Sequence, residues 1–199
     1  MVERPDVPHE RLTADGWERI EESESVVFEM PPVTVAARTV VYDDVGLRES
    51  VRAAAPDAPD RSWRFLFAGA LSIRPSLPTG IGRRVVTPMV EMAARERFVE
   101  DLRDRGLASV EGDRRERVRV ATGERVTCRG FTATLSLDGA RDVALPVEGW
   151  VGTWPRGDGF RVAGGAHPAS SLDEVVGGAV DYDPATARRD CFEFVHAVA

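Results

Sequence analysis

The sequence predicts an α+β fold, in which a long central helix and a C-terminal helix pack on a mainly antiparallel β-sheet of about six to eight strands. Most of the extended segments are joined by turns that are too short for the crossover of about a dozen residues that a parallel pair requires. Two other segments have apolar residues at helical spacing, together with residues that cap helices. The chain has 199 residues, of which 43% are hydrophobic. We therefore expect a single α+β domain over residues 1–199, in which residues 1–14 can be mobile.

The first third of the chain contains three extended segments and a short helix. Residues 17–22 and 26–30 are strand candidates joined by a polar turn, and residues 33–42 are rich in β-branched side chains. The pair Asp43-Asp44 can cap a helix that continues to about Ala55. The inner face of this helix is predicted to contain Leu47, Val51 and Ala54.

The longest helix is predicted after a strand over residues 61–74, on which Trp63, Phe65 and Phe67 alternate. Thr87 can cap this helix, Pro88 suits its first turn, and Gly106 ends it. The apolar face that the spacing predicts consists of Met89, Met92, Ala93, Val99 and Leu102.

Two hairpins and a final helix are predicted in the rest of the chain. The alternating pattern that leads into and out of the turn at residues 121–124 changes parity after Cys128, and a β-bulge at Gly130 would absorb that shift. Residues 143–154 and 160–166 form the second hairpin. Asp183 and Pro184 begin the last helix. Its inner face is predicted to contain Ala187, Cys191, Phe194, Val195 and Val198.

The order of these elements resembles that of PsbP-like α/β/α sandwich domains. The similarity rests on Gly16-Trp17 at the start of the first hairpin, on Val27-Phe28 followed by Pro31, and on the long third strand with its central and C-terminal helices. The resemblance implies an antiparallel sheet between helices and a non-catalytic accessory or binding role. It carries no diagnostic motif, so no functional residue is transferred from it.

The amino-acid composition gives information about the type of organism that makes the protein. All 26 basic residues are arginine, lysine, asparagine and glutamine are missing, and 33 acids give a net charge of −7. This usage resembles that of haloarchaeal proteins, and a GC-rich actinobacterium is the alternative. Because the screening length in molar salt is only about 3 Å, function in a haloarchaeon would depend on close contacts. The first 60 residues hold 14 of the acids against six arginines, which is most simply a solvated face.

Composition also limits the compartment and the partners. No apolar run approaches the roughly 20 residues of a membrane span, and the charged N-terminus does not resemble a secretion signal. We therefore expect a cytoplasmic protein with no membrane contact, in which Cys128 and Cys191 are reduced thiols. Neither cysteine belongs to a C-x-x-C pair or a His/Cys cluster, so we expect no metal and no other cofactor.

Local catalytic and nucleotide-binding motifs are missing from the sequence. The segment Gly80-Ile81-Gly82-Arg83-Arg84 could hold a phosphate or a sulfate before the long helix, but a surface loop with solvated arginines explains it more simply. Residues 114–119 contain four arginines and form the most basic stretch. The acids around them and the negative net charge do not favour nucleic-acid binding.

The best pocket candidates are Trp150, Trp154, Arg161 and His167. The two tryptophans are four residues apart and therefore share one face of a strand, with Gly149 and Gly152 beside them. They can line a groove, or they can be core rings beneath the C-terminal helix. His167 follows the predicted end of a strand, where it can act as a general base or hydrogen-bond to the backbone. His9 and His196 are expected in less informative surroundings.

These observations favour a non-catalytic domain that binds a small molecule or a protein partner, with a homodimer as one possibility. The alternative is a small-molecule hydrolase or isomerase that uses His167 together with a carboxylate supplied by the fold.

Overall fold

The computed structural model describes residues 2–31, 33–75, 81–137, 143–177 and 180–199. Within these ranges the chain forms seven strands and five helices. The strands are β1 Trp17–Met30, β2 Val33–Asp44, β3 Phe65–Arg74, β4 Leu107–Arg119, β5 Arg125–Leu137, β6 Val143–Arg156 and β7 Gly159–Pro168. The helices are α1 His9–Ala14, α2 Val45–Ala54, α3 Ile81–Asp104, α4 Asp173–Val176 and α5 Pro184–Ala197.

All seven strands belong to one sheet in the order β1-β2-β3-β7-β6-β5-β4. Every neighbouring pair is antiparallel. The chain builds one meander from β1 to β3 and a second from β4 to β7, and the pairing of β3 with β7 joins them. The predicted α+β class with a mainly antiparallel sheet is therefore confirmed.

Helices cover both faces of the sheet. One apolar cluster contains residues of α2, α3 and α4 and lies on the first face. The other cluster contains residues of α1 and α5 and lies on the second face. Because successive side chains of a strand point to opposite faces, each central strand contributes alternately to the two clusters.

The short helices begin where the sequence predicts. The Asp44 side chain accepts a hydrogen bond from the Leu47 backbone N–H at the start of α2. Asp183 accepts hydrogen bonds from the Ala185 and Thr186 backbone at the start of α5. The predicted inner face of α5 is buried at all five positions, which are Ala187, Cys191, Phe194, Val195 and Val198.

Helix α3 differs from the prediction in its start and in its buried face. It begins at Ile81 and not after Thr87, so that Pro88 lies inside it. Met92 is 57% exposed. The buried stripe runs along i, i+4 positions and consists of Val90, Ala94, Phe98 and Leu102. Leu102 of the predicted face is thus buried, and Val99 packs against the core in part. Its end is as predicted, because Gly106 has a φ of +81°, which suits glycine after a helix.

Phe98 explains why α3 is rotated relative to the predicted face. Its ring stacks on Phe67 at a centroid distance of 5.4 Å and meets the edge of Phe131 at 5.5 Å. Burying this large ring against β3 and β5 outweighs burial of the flexible Met92 side chain.

The predicted β-bulge at Gly130 is wrong, because β5 pairs with β6 without interruption through this position. The parity change has a different cause. Val126 and Cys128 belong to the cluster beneath α5, whereas Phe131 and Ala133 belong to the cluster beneath α3. The strand alternates regularly, and the side that is covered by apolar partners changes along it.

Register irregularities occur instead in the two outer strands. In β1 the pairing with β2 skips Ile20 and Val27, and in β4 the pairing with β5 shifts at two places between Ala108 and Arg114. In all four places the extra residue is on the outer strand. β1 is also one continuous strand, which corrects the predicted turn at residues 23–25. β3 begins at Phe65, later than the predicted start at Arg61.

The N-terminal segment, for which the sequence leaves mobility open, packs on the sheet. Val2 and Leu12 are buried. The backbones of Asp6 and Ala199 exchange two hydrogen bonds, so this segment lies beside the end of the chain.

Candidate functional site

The four predicted pocket residues share the face of the sheet that α5 covers. Trp150 and Trp154 are 1% and 2% exposed, His167 is 1% exposed and Arg161 is 6% exposed. Both tryptophans belong to the apolar cluster that α5 completes. The structure therefore supports the core alternative for the two rings and not the groove.

Trp150 is enclosed on several sides. Its ring centroid lies 5.0 Å from that of Phe192 on α5, and the guanidinium of Arg188 lies 4.9 Å from the ring centre. On β5, a Cβ placed on Gly130 would come within 2.7 Å of the indole ring. The close approach of the ring to the backbone thus requires glycine at position 130.

His167 is held next to a carboxylate, as the alternative enzymatic hypothesis requires. Its Nδ1 lies 2.9 Å from the Pro168 carbonyl oxygen, which makes Nδ1 the protonated nitrogen. Its Nε2 lies 3.7 Å from Oε2 of Glu148 and has no hydrogen-bond partner among the described residues. Glu148 in turn forms ion pairs with Arg114 and Arg188.

Burial determines what this histidine can do. Removal of the ring from water lowers the pKa of His167, so the neutral form is favoured. A neutral Nε2 can accept a proton, but in this structure a substrate cannot reach it. His167 borders none of the clefts that we describe among the resolved ranges.

Arg161 is the one predicted residue that borders a described cleft. It lies at the wall of a cleft of about 630 Å³ beside the N-terminal segment. Its guanidinium donates to Oε2 of Glu3 at 2.8 Å and to the Ala199 carbonyl oxygen at 3.0 Å. The charge of Arg161 is therefore already compensated.

The two thiols are core groups. Cys128 and Cys191 are free and buried. Burial raises the pKa of each thiol to about 12, so neither is a nucleophile at neutral pH. Among the side chains that the structure describes, no group of three or more His, Cys, Asp or Glu residues could hold a metal ion.

A second buried arginine, Arg64, lies between two further clefts of about 590 and 310 Å³. It pairs with Asp44 at 3.3 Å and Asp190 at 2.6 Å, and it lies 4.6 Å from the ring centre of Trp17. Burial raises the pKa of Asp44. Because Asp190 is on α5 and Asp44 is at the end of β2, this network fastens α5 to the sheet.

A cleft of about 430 Å³ between α3 and the strands β4, β5 and β6 has a different character. We call it the arginine cleft. Its lining consists of Pro88, Glu91, Met92, Arg95, Arg115, Thr127, Arg129, Val151 and Thr153. Arg115 and Arg129 lie directly opposite each other on β4 and β5, and Arg95 approaches from α3.

Within the described part of the chain, the three arginines of the arginine cleft form no ion pair with an acid. Arg95 donates to the Gly112 carbonyl oxygen at 3.4 Å and lies 5.8 Å from the ring centre of Phe131. None of the three has a carboxylate within 4.0 Å among the described side chains, whereas Arg114, the neighbour of Arg115, pairs with Glu148 on the other face. Glu91 is the acid in the lining. The cleft is therefore a pocket of uncompensated positive charge in an acidic protein.

This cleft was not predicted from the sequence, although residues 114–119 stand out there as the most basic stretch. Arg115 belongs to that basic stretch. The positions of Arg95 and Arg129 in the cleft depend on strand register and on the rotation of α3, which the sequence pattern does not give. The glycine–arginine segment over residues 80–84, most of which belongs to α3, is only partly described. Gly80 and the side chains of residues 81–84 lie outside the described residues, so that hypothesis stays a prediction.

The remaining histidines make surface contacts. His9 Nδ1 lies 3.3 Å from the Tyr42 hydroxyl, and His196 Nδ1 contacts the Arg119 carbonyl oxygen. In the part of the chain described, no helix combines the length and the apolar character needed to cross a bilayer.

Comparisons with known proteins give a family and no function. Neither the curated proteins nor the solved structures contain a match to the chain. One family model matches residues 4–199, which is nearly the whole sequence. The chain thus belongs to the family described as domain of unknown function DUF6517.

Proposed function

We propose that this domain binds a small molecule and does not transform it. The observation that carries the proposal is the arginine cleft, in which three guanidiniums without acidic partners surround an open space of about 430 Å³. Clefts of this size are typical of small-ligand sites. These three arginines can bind an anionic ligand directly, whereas arginines that already pair with an acid, such as Arg64 and Arg161, are less available to one.

The chemistry of the lining supports binding over catalysis. Arginine stays protonated in proteins and cannot serve as a general base. The threonine hydroxyls have no histidine beside them among the described lining residues, and Glu91 is the carboxylate that the lining contains. The accessory role that the PsbP-like resemblance implies agrees with this proposal.

The proposal also includes the cellular environment in which the protein works. The arginine-only basic residues and the excess of acids support a protein of a high-salt cytoplasm. Two free cysteines fit a reducing compartment. The proposed binding of a small molecule is compatible with a homodimer or with another protein partner.

A second candidate function rests on the His167–Glu148 pair, whose 3.7 Å separation brings a base and a carboxylate together. A hydrolase or isomerase could use this pair if α5 moved away from the sheet. That motion would expose Trp150 and the rest of the cluster beneath α5, so it carries a large cost in apolar burial.

Native mass spectrometry of the full chain, followed by thermal-shift screening against a metabolite library, tests the proposal. We expect a bound small molecule, or a library compound that raises the melting temperature without being consumed. A library without any stabilising compound would contradict ligand binding. Turnover in a hydrolase panel, abolished by His167→Gln, would favour the second candidate. The same spectra report whether the protein is a homodimer.

A further inference from the structure

We propose that the arginine cleft is a binding site for an organic phosphomonoester, that is, a small molecule with one terminal phosphate and an apolar part. This inference rests on the proposed binding function and assigns the chemical class of its ligand.

Strand register places two like charges against each other. Arg115 and Arg129 are direct cross-strand partners. Like charges at such positions destabilise a sheet, because their Cβ atoms are only about 5 Å apart. An arginine elsewhere in the sheet can pair with an acid on the neighbouring strand, as Arg38 of β2 does with Glu22 of β1 at 2.7 Å. At Arg115 and Arg129 no described acid relieves the repulsion, and a bound anion would do so.

The charge of the cleft selects the kind of anion. Three arginines and Glu91 leave an excess of two positive charges. A phosphomonoester carries about −1.5 to −2 near pH 7, whereas a single carboxylate carries −1. Guanidinium groups also match the oxygens of phosphate through paired N–H donors. Thr127 and Thr153 line the same space, and a threonine hydroxyl can donate to a phosphate oxygen.

The apolar lining indicates that the phosphate is attached to an organic group. Pro88, Met92 and Val151 contribute apolar surface to the cleft. Met92 is 57% exposed, which makes it one of the few large hydrophobic side chains left in water. A methionine side chain adapts readily to flat or irregular ligands. A ring or short chain attached to the phosphate would cover Met92, and a bare phosphate would leave most of the 430 Å³ empty.

Isothermal titration calorimetry with three probes tests the inference, at the lowest salt concentration at which the protein remains folded. The probes are phenyl phosphate, inorganic phosphate and benzoate. We expect phenyl phosphate to bind at least about tenfold more tightly than benzoate, because the extra charge meets the arginines. It should also bind more tightly than inorganic phosphate, because its ring covers Met92.

Variants locate the site. Arg115→Gln and Arg129→Gln should each weaken phenyl phosphate binding by about tenfold or more. Glu91→Gln should strengthen it, since a like charge is removed from the cleft. The matched control is Arg125→Gln. Arg125 belongs to the same hairpin and also faces an arginine, Arg119, but it borders none of the described clefts, so its loss should leave binding unchanged.

Stability measurements separate loss of binding from loss of fold. Because Arg115→Gln removes a cross-strand repulsion, its melting temperature without ligand should equal or exceed that of the wild type. A melting temperature below the wild-type value would overturn the charge argument. Equal binding of benzoate and phenyl phosphate would overturn the assigned ligand class, as would tighter binding of a single-stranded oligonucleotide.

The outcomes also distinguish this inference from the proposed function. A co-purified or library ligand that still binds after both arginine substitutions would leave the binding function intact and overturn the assignment to this cleft. Failure of every library compound to bind would instead contradict the proposed function itself.

Discussion

Gly130 offers the sharpest test of the packing beneath α5. In Gly130→Ala, the new Cβ would lie 2.7 Å from two ring carbons of Trp150 and 3.0 Å from Cβ of Arg114. Ordinary carbon contacts are about 3.5–4.0 Å, so the ring must move by about 1 Å. Phe192 blocks that movement from the side of α5, with its centroid at 5.0 Å. Overpacking of this kind costs about 1–3 kcal/mol.

Thermal unfolding followed by near-UV circular dichroism measures the effect. For a chain of this length, a loss of about 2 kcal/mol lowers the melting temperature by roughly 4–8 °C. Gly46→Ala is the matched control, because its Cβ would meet only Asp44 Oδ1 at an ordinary 3.6 Å, near the start of α2. That substitution should stabilise the protein by about 0.4–1 kcal/mol. Equal stability of Gly130→Ala and the wild type would refute the proposed contact between the ring and β5.

Three other predictions concern titration and salt. Cys128 and Cys191 should not react with Ellman's reagent at pH 8 in the native state, because burial raises the pKa of both thiols to about 12, and both should react in urea. Rapid labelling of the folded protein would contradict their burial. His167 should make the fold acid-sensitive: burial lowers its pKa below 6.5, so the unfolded chain binds the proton more readily and stability falls as the pH drops below about 6.5. Urea titrations from pH 7 to 5 should show a smaller loss for His167→Gln, and an equal loss would assign the effect elsewhere. Finally, the melting temperature should rise steeply from low to molar potassium chloride, because β1 carries five glutamates against one arginine. An unchanged melting temperature would count against a halophilic origin.

Features that depend on local chemistry were predictable from the sequence. The aspartates that cap α2 and α5 and the glycine after α3 act within one helical turn. Short connections were sufficient to predict antiparallel pairing. The predicted start of α3 was wrong. Proline prefers the first turn of a helix, but this is a local tendency, and the packing of the longer helix overrides it.

Features that depend on strand register, or on the helices that cover the two faces of the sheet, were not predictable from the sequence. A change of parity in β5 has the same sequence pattern whether it marks a bulge or a change of the covered face. Only the presence of helices on both sides decides between them. The burial of His167 and Trp150 depended in the same way on the position of α5. The arginine cleft required the pairing of Arg115 with Arg129, which no local signal encodes.

The extra residues in β1 and β4 limit how this molecule can assemble. A regular outer strand offers evenly spaced amide and carbonyl groups to any passing chain, whereas an outer strand with bulges and charges does not. Addition of a second sheet to either border, which would lead to open-ended fibrils, is thereby disfavoured even at high protein concentration. If two copies associate, we expect them to meet through their helical layers, where contact leaves the borders of both sheets unoccupied.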